Sequence, residues 1–288
     1  MAVASEAPAS FRSSAARPGA LALIRQVFQD VASRRRLIRY LVQTDLKKKG
    51  ADTLLGNVWW VIDPLLQMLV YYVLVSIIFQ RKPEDFALFV FCAILPWKWF
   101  TSAITDGTSS VVAMEKLIKQ INFPKIVLPT ASVVAGIANF FFGLIPLAAM
   151  IVLLYPDRAS GWLVLVPVVA AVQLLFTLPL ALVLSAINVF YRDVGNLARH
   201  VLRLAFYASP GIYSIELIYD VAGDNPLLGN LLLANPFAIL FTAYRDLIYD
   251  GRAPDWLALG ILALLSVGML LIAVFTFKRL EPSFAKVL

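Results

Sequence analysis

Cysteine and histidine are almost absent from this chain, and their scarcity excludes several kinds of site. One cysteine, Cys92, rules out an intrachain disulfide and a thiolate metal cluster, and one histidine, His200, rules out two-histidine metal motifs. The phosphate-binding P-loop, the glycine-rich dinucleotide fingerprint and the nucleophile elbow are also missing. The sequence therefore predicts no metal, no cofactor and no catalytic centre in this chain.

Charged side chains are scarce, and long apolar runs take their place. Only 15% of the 288 residues are charged, 60% are hydrophobic, and the mean hydropathy is +0.80. A soluble domain has about 45–50% apolar residues, so we expect an all-α integral membrane protein with its transmembrane domain at residues 57–277. Residues 1–20 lack the apolar core of a signal peptide and are expected to form a flexible tail, and residues 278–288 a cytoplasmic tail.

Positive charge is concentrated just before the first apolar run. The net charge is +7, and residues 1–56 hold ten Lys or Arg against four Asp or Glu, a net of +6. This position is typical of the cytoplasmic side of a membrane protein and argues against a nucleic-acid partner. Apolar residues recur at helical spacing within residues 21–56, which predicts a basic amphipathic helix on the membrane surface. It serves either as a topology signal or as a docking site.

Apolar runs and loop charges together predict six transmembrane helices, since ~20 apolar residues cross a bilayer. The runs cover residues 58–79, 86–112, 126–154, 162–190, 204–219 and 256–277. The intervening loops alternate in charge: 80–85 and 155–161 are neutral, 113–125 and 191–203 carry +2, 216–255 carries −4, and the tail carries +2. This alternation predicts that both termini are cytoplasmic.

The apolar segment 226–248, PLLGNLLLANPFAILFTAYRDLI, resembles a seventh span. A seventh span would place the basic C-terminus outside, and Asn235-Pro236 interrupts the segment because proline disfavours a helical residue before it. We therefore predict a re-entrant pair of short helices on the outer face, between the fifth and sixth spans. Pro210-Gly211 in the short fifth span predicts a kink.

Polar residues inside the spans are costly and therefore informative. The second span holds Lys98 and Asp106 among several Ser and Thr residues. These side chains face either a hydrated lumen or a partner on another helix. Asp63-Pro64 in the first span is expected to form a local turn or a helix start. Lys98 is a candidate cation for an anionic substrate group, because a buried Lys needs an anionic partner.

Aromatic residues cluster in three of the predicted spans. Trp59 and Trp60 lie at a span end, where tryptophan is usually an interface anchor. Trp97 and Phe100 lie in the second span, and Phe140 begins a run of three phenylalanines in the third. For the run of phenylalanines at 140–142, core packing and a stacking platform for sugars are the two alternatives.

Two predicted cytoplasmic loops combine charged and apolar residues. Residues 115–124, EKLIKQINFP, are expected to form a short helix that Pro124 ends, with Leu117, Ile118 and Ile121 on one face. Residues 190–193, FYRD, end the fourth span. Such segments either transmit force from a soluble partner or only connect spans.

Six segments carry a likeness to a known family: TDLKKKGADTLLGNVWWVIDPLLQMLVYYVLVSIIF, LPWKWF, LIKQINFPKIVLP, NVFYRDV, NPFAILFTAYRDLI and FKRLEPSFAKVL. Over residues 40–288 the chain resembles the permease subunit of type-2 ABC exporters for polysaccharides, the O-antigen, capsule and teichoic acid group. One departure is the Gly50-Ala51-Asp52 segment after Lys49, where the family often has an aromatic residue.

The resemblance implies an exporter for a lipid-linked polysaccharide in the bacterial inner membrane. Two copies of the chain would pair around a path, with membrane lipids outside, and two separate subunits would supply ATP and Mg²⁺. The implied ATPase-coupling residues are Leu37, Tyr40, Asp45, Lys47, Glu115, Lys116, Ile118, Lys119, Phe123, Tyr191, Arg192 and Asp193. The outer gate would include Asn235, Pro236, Phe237, Tyr244 and Arg245, and the path candidates are Trp59, Trp60, Trp97, Lys98, Phe100 and Phe140.

Three other functions remain open at this point. The same fold could serve a type-2 ABC permease for another lipid, a drug or a peptide. A membrane enzyme that acts on lipid-linked sugars would need clustered Asp or His residues at a membrane face, and the acids at 220–255 are simply explained as a solvated loop. A scaffold or channel would work without an ATPase partner.

Overall fold

The computed structural model describes residues 20–51, 53–78, 84–215 and 235–288, and these form helices and turns with no β-strand. The helices are α1 (Ala20–Ser33), α2 (Arg35–Gly50), α3 (Trp59–Ile78), α4 (Phe86–Ala113), α5 (Glu115–Gln120), α6 (Val127–Leu154), α7 (Val166–Phe190), α8 (Val194–Tyr207), α9 (Pro236–Ile248) and α10 (Trp256–Val287). Short 3₁₀ helices lie at Gly56–Val58, Pro156–Arg158 and Gly161–Leu165. The all-α prediction is therefore confirmed for this part of the chain.

Five helices in the described residues are long and apolar enough to cross a membrane, namely α3, α4, α6, α7 and α10. They correspond to the first, second, third, fourth and sixth predicted spans, with starts within a few residues except in the fourth. There the 3₁₀ helix Gly161–Leu165 precedes α7. Helix α10 continues ten residues past the predicted end at 277, so most of the expected tail is helical.

The fifth predicted span, 204–219, is not a single helix. Residues 204–207 are the last residues of helix α8, which ends at Tyr207. Turns follow at residues 208–211. Pro210 causes this break, because proline lacks an N–H donor and disfavours helical geometry at Ser209. The continuation at 216–219 lies outside the described residues. So do residues 1–19 of the predicted tail 1–20, most of the loop 80–85, and the first arm of the predicted re-entrant pair, 226–234.

Helix α4 is the centre of the fold. It packs against α3, α6, α7, α8 and α9, and 78% of its most apolar window is buried. Only 11% of the corresponding window that includes α3 is buried, which leaves one side of α3 open. The protomer therefore has one buried span and one largely exposed span in contact with each other.

The predicted amphipathic lead-in consists of two helices, which meet at a turn at Arg34. Helix α1 packs against α10, where the ammonium of Lys278 lies 2.8 Å from the Asp30 carboxylate. Helix α2 packs against α6. The lead-in thus contacts the transmembrane helices directly, and we call the region formed by α1, α2, α5, residues 191–193 and the end of α10 the basic end.

Candidate translocation and coupling sites

Lys98 and Asp63 form an ion pair between helices α4 and α3. The Lys98 ammonium donates to an Asp63 carboxylate oxygen, with 29% and 62% of the two side chains exposed. Asp63-Pro64 therefore does not start a helix as expected, since α3 begins at Trp59 and continues through Pro64. Of the two alternatives for Lys98, the structure shows pairing with a carboxylate on another helix, and this pair lies at the edge of an open cleft.

The cleft between α3, α4 and α6 has a volume of about 360 Å³. Besides the ion pair it is lined by aromatic rings and two polar side chains: Trp59, Trp60, Trp99, Phe140, Ser102 and Asn139. The indole Nε1 of Trp99 and the amide Oδ1 of Asn139 are buried there, and neither has a hydrogen-bond partner among the described residues. Because unsatisfied buried polar atoms are rare in folded proteins, this pair of one donor and one acceptor marks the cleft as a place for a polar ligand.

The predicted path residues fall into two groups. Trp59, Trp60, Lys98 and Phe140 line the cleft. Trp97 and Phe100 are 5% and 4% exposed and lie elsewhere, in the apolar core. Their rings pack 4.7 Å and 4.6 Å from Phe237. Within the protomer these two residues pack in the core.

Helix α2 is tied to α4 by charge. The Lys49 ammonium lies 2.7 Å from the Asp106 carboxylate and 3.0 Å from Asp45, and the Ser102 hydroxyl donates to the same Asp106 oxygen. Burial by itself lowers the pKa of Lys49, but Asp106 and Asp45 together outweigh it and raise that pKa. Lys49 therefore stays protonated, and the predicted interfacial helix is fixed to the central span.

The other predicted coupling residues on α2 are more open to solvent. Tyr40 is 64% exposed, Lys47 is exposed, and Leu37 and Asp45 are half-buried. Leu37 packs against the apolar cluster at the basic end. The helix thus has one side attached to the transmembrane helices and another available to a partner.

The short helix α5 is anchored by two apolar side chains. Ile118 and Phe123 are buried, whereas Lys116 and Lys119 are exposed. The helix ends at Gln120, and Ile121 is extended and 54% exposed, so Ile121 does not share the buried face as expected. Pro124 explains the early end, because it favours extended backbone before it.

Two cations, one on α5 and one in the α7–α8 turn, affect the carboxylate of Glu115. The Lys119 ammonium lies 2.7 Å from Glu115, and this hydrogen bond is the largest cause of the lowered pKa of Glu115. Arg192 adds a smaller effect in the same direction. Tyr191, Arg192 and Asp193 are all exposed. The polar side chains that were predicted to couple in these two loops are therefore open to solvent at Lys116, Lys119 and residues 191–193.

The predicted outer-gate residues hold α9 inside the protein. Asn235 caps the helix by accepting from the Phe237 N–H at 2.9 Å, and its amide donates to the Ser209 hydroxyl at 2.8 Å. Pro236 follows as the first helical residue, where its missing N–H costs nothing. Tyr244 is 1% exposed and donates to the Gln173 amide oxygen at 3.0 Å. Helix α9 is thus a packed part of the core.

Arg245 closes the break after α8. Its guanidinium donates to the carbonyls of Pro210 and Gly211 at 2.6 Å and 2.7 Å, and lies 3.6 Å from the centre of the Phe89 ring. The side chain is buried, with 5% exposed. Arg245 therefore satisfies two backbone carbonyls in the turns that follow α8.

Comparison with known proteins shows the family to which the chain belongs. It is 34% identical over 264 residues to the O-antigen export system permease protein RfbA of Myxococcus xanthus, covering 92% of this chain and 98% of that protein. The chain belongs to the O-antigen export permease family. Two proteins of the same name from Klebsiella pneumoniae are each 26% identical over 253 residues, 88% of this chain and 95% of theirs. No protein-family model matches the chain.

Sequence reasoning missed several residues of this family member that the structure brings together. The cost of polar residues inside a span points to Asp106, but not to its partner Lys49, which lies 57 positions away. The argument that polar residues are costly inside a span applies equally to Asn139, a single amide beside three phenylalanines. Trp99 is one of several neighbouring aromatics, and no spacing rule separates it from Trp97.

Proposed function

We propose that this chain is the membrane-spanning subunit of an ATP-driven exporter that moves a lipid-linked, O-antigen-like polysaccharide out of the cytoplasm. The observation that carries this proposal is the 34% identity to an O-antigen export permease over nearly the whole length of both proteins. The chain has no P-loop of its own. ATP and Mg²⁺ therefore belong to a partner subunit.

The proposed assembly is a homodimer of this chain with two ATP-binding subunits in the bacterial inner membrane. Each protomer would have six spans, with α8 and residues 208–219 as the fifth, and α9 as the second arm of an outer re-entrant pair. Both termini would be cytoplasmic, so the basic end would face the ATP-binding subunits. The open side of α3 supports pairing of two protomers around a central path, because most of its apolar residues are not buried by the described part of the protomer.

The coupling surface would combine α2, α5 and the α7–α8 turn. Exposed Tyr40, Lys116 and Tyr191 are placed to touch a soluble partner, whereas Ile118 and Phe123 anchor α5 in the apolar cluster. Movement of α2 would pass to α4 through Lys49 and Asp106. This route ties the proposed ATPase contact to the most buried span.

The cleft between α3, α4 and α6 would contact the sugar chain. A hydroxyl group both accepts and donates, so one sugar hydroxyl could pair with the Trp99 N–H and the Asn139 oxygen together. Trp59 and Trp60 offer faces on which a sugar ring can stack, whereas Phe140 is 4% exposed and its ring packs 5.2 Å from Trp99. Lys98 and Asp63 would supply further polar contacts at its edge.

Purification of the tagged chain from its native host tests the proposal. An ATP-binding subunit in one-to-one ratio is expected, and Lys116→Glu should weaken its recovery whereas Asp157→Lys, an exposed charge reversal in the loop that follows α6, should not. Deletion of the gene should remove the polysaccharide from the cell surface. Recovery without any ATPase, together with unchanged surface polysaccharide after deletion, would contradict the proposal.

A further inference from the structure

A lysine and a glutamate near the end of helix α10 bind each other. Lys278 and Glu281 lie about one turn apart, and the Lys278 ammonium is 3.0 Å from the Oε2 atom of Glu281. Only 8% and 11% of the two side chains are exposed. Both belong to the residues by which α10 continues past the predicted span end at 277. Neither was predicted to contribute to coupling, because this segment was expected to be a tail.

Each of these two side chains also binds a different element of the basic end. The Lys278 ammonium donates to the Asp30 carboxylate on α1 at 2.8 Å. The Oε1 atom of Glu281 accepts a hydrogen bond from the backbone N–H of Lys125, in the connection between α5 and α6, at 2.5 Å. Polar contacts therefore run from α1 through α10 to that connection. We call Asp30, Lys278, Glu281 and the Lys125 N–H the polar chain.

Two further contacts join the end of α10 to predicted coupling segments. The Lys119 ammonium on α5 donates to the Leu288 carbonyl at 2.6 Å. The ring of Phe284, which is fully buried, lies 6.0 Å from the ring of Phe190, the residue just before the α7–α8 turn. The end of α10 is therefore in contact with the lead-in, with α5 and with the end of α7.

An apolar cluster joins the same elements. Its buried members include Val27 of α1, Ile118 of α5 and Phe277 of α10, and Leu37 of α2 packs against it. Apolar burial is non-directional, so it favours contact between these elements without selecting one arrangement. Hydrogen bonds are directional and weaken steeply away from their preferred geometry. The polar chain therefore gives α1 and the α5–α6 connection a defined position relative to α10.

Stability alone is a poor reason for this polar chain. A shielded ion pair gains little free energy over apolar residues of similar volume, because both charges lose their water. Separation of the two partners is nevertheless costly, because each charge is then left unpaired. The polar chain thus penalises any arrangement in which α1 or the α5–α6 connection moves away from α10. These elements are therefore favoured to move together.

We propose that Lys278 and Glu281 are positioning residues, which hold the lead-in and the α5–α6 connection in one arrangement so that a movement of either reaches the other. This proposal rests on the proposed function, which places the ATP-binding subunits at the basic end. Helix α10 is continuous from Trp256 to Val287 and packs against α7. A movement that reaches the polar chain would therefore pass along α10 into the transmembrane helices.

Hydrogen–deuterium exchange on the full chain in complex with its ATP-binding subunit tests the proposal. Glu281→Leu removes the acceptor of the Lys125 N–H, so exchange at residues 119–126 should become roughly tenfold faster. Glu281→Gln keeps an amide oxygen for that N–H and should retain most of the protection. Lys278→Met removes the donor to Asp30 and should speed exchange in α1. Exchange in α4 and α7 should stay at the wild-type rate in all three variants.

Arg158→Met is the matched control for the exchange measurement. Arg158 pairs with Asp85 at 2.9 Å, and both side chains are partly shielded. Arg158 follows α6 whereas Lys125 precedes it, so this ion pair lies at the opposite end of that helix. Its loss should leave exchange in α1 and at residues 119–126 unchanged, because it does not belong to the polar chain.

A second measurement compares ATP hydrolysis with export. Lys278→Met and Glu281→Leu should hydrolyse ATP at close to the wild-type rate, because the ATP site lies in the partner subunit. The surface polysaccharide that each restores to a gene-deletion strain should fall roughly tenfold at equal expression. Glu281→Gln should restore more than Glu281→Leu. A loss of stability alone would lower hydrolysis and export together, through the amount of complex.

Three results would overturn the proposal. The first is unchanged exchange at residues 119–126 in Glu281→Leu. The second is faster exchange throughout α4 and α7 in the variants, because Lys278 and Glu281 would then only stabilise the fold. The third is a wild-type ratio of export to ATP hydrolysis in both Lys278→Met and Glu281→Leu, because the fixed arrangement would then not serve coupling.

Failure of this proposal can be separated from failure of the proposed function. If deletion of the gene abolishes surface polysaccharide but Glu281→Leu restores it fully, the exporter role stands and the positioning role is wrong. If the exchange pattern is as expected but the deletion leaves surface polysaccharide unchanged, the positioning role stands and the chain exports another substrate.

Discussion

The ammonium of Lys49 on helix α2 lies 2.7 Å from the carboxylate of Asp106 on helix α4. This contact joins a basic amphipathic helix to the most buried span. Both side chains are partly shielded, with 25% and 33% exposed. It is the shortest ionic link between the proposed ATPase-facing surface and the transmembrane core among the described residues.

We predict that Lys49→Met uncouples ATP hydrolysis from export. Loss of the charged hydrogen bond should lower the free energy of unfolding by about 1–2 kcal/mol, a value reduced by the partial exposure of both groups. The wild-type and variant complexes are compared in ATPase and export assays. Lys48→Met, an exposed neighbour with no ion pair among the described residues, is the matched control. Normal export per ATP in Lys49→Met would contradict the coupling route.

A second prediction concerns Lys98 and Asp63. Lys98→Gln and Asp63→Asn should each reduce export, because each leaves one charge unpaired at span depth. The double variant should be less impaired than either single variant, since no lone charge remains. Export and complex yield are measured for the three variants and for Lys98→Arg. If Asp63→Asn exports normally and the double variant is as inactive as Lys98→Gln, Lys98 instead contacts the substrate.

The unpartnered polar atoms of the cleft give a third prediction. Trp99→Phe keeps a ring but removes the unsatisfied N–H, and Asn139→Leu removes the unsatisfied oxygen. Each should leave thermal stability unchanged or slightly higher, because a desolvated polar group without a partner is costly. Export should fall if these atoms meet sugar hydroxyls.

Trp162→Phe is the control for the cleft variants, since Trp162 is 40% exposed outside the cleft. A large loss of stability in Trp99→Phe would indicate that its N–H has a structural partner. Unchanged export in both cleft variants would remove the cleft from the transport path.

The fourth prediction is that Arg245→Met destabilises the fold strongly. Two buried carbonyls, of Pro210 and Gly211, would lose their donors, at about 2–4 kcal/mol in total. Arg245→Lys should recover only part of this, because one ammonium cannot copy the planar fork over the Phe89 ring. Thermal unfolding in detergent measures the effect, with Arg279→Met as the exposed control. A similar melting temperature for Arg245→Met and Arg279→Met would show that Arg245 is not needed to close the break.

Sequence reasoning located the five long spans because a span is a local property. Residues 86–112 or 126–154 are recognisable from their own apolar composition, and their ends match α4 and α6 closely. The family likeness was equally accessible, because it rests on linear segments such as NPFAILFTAYRDLI. The fifth span was the least predictable from its own composition. Pro210-Gly211 breaks its short apolar run, and Arg245, which donates hydrogen bonds to the carbonyls at this break, lies on α9.

No spacing rule predicts which charged side chains from distant parts of the chain form ion pairs. The sequence by itself determined an all-α membrane protein with basic and neutral loops in alternation, because hydropathy and charge act on each segment separately. Only the tertiary structure decided that Lys98 meets Asp63, 35 positions away, that Lys49 meets Asp106, and that the buried Trp97 packs against Phe237 while the equally buried Trp99 borders the cleft. These outcomes depend on which helix faces pack together, and that choice is made by the whole set of helices rather than by any one of them.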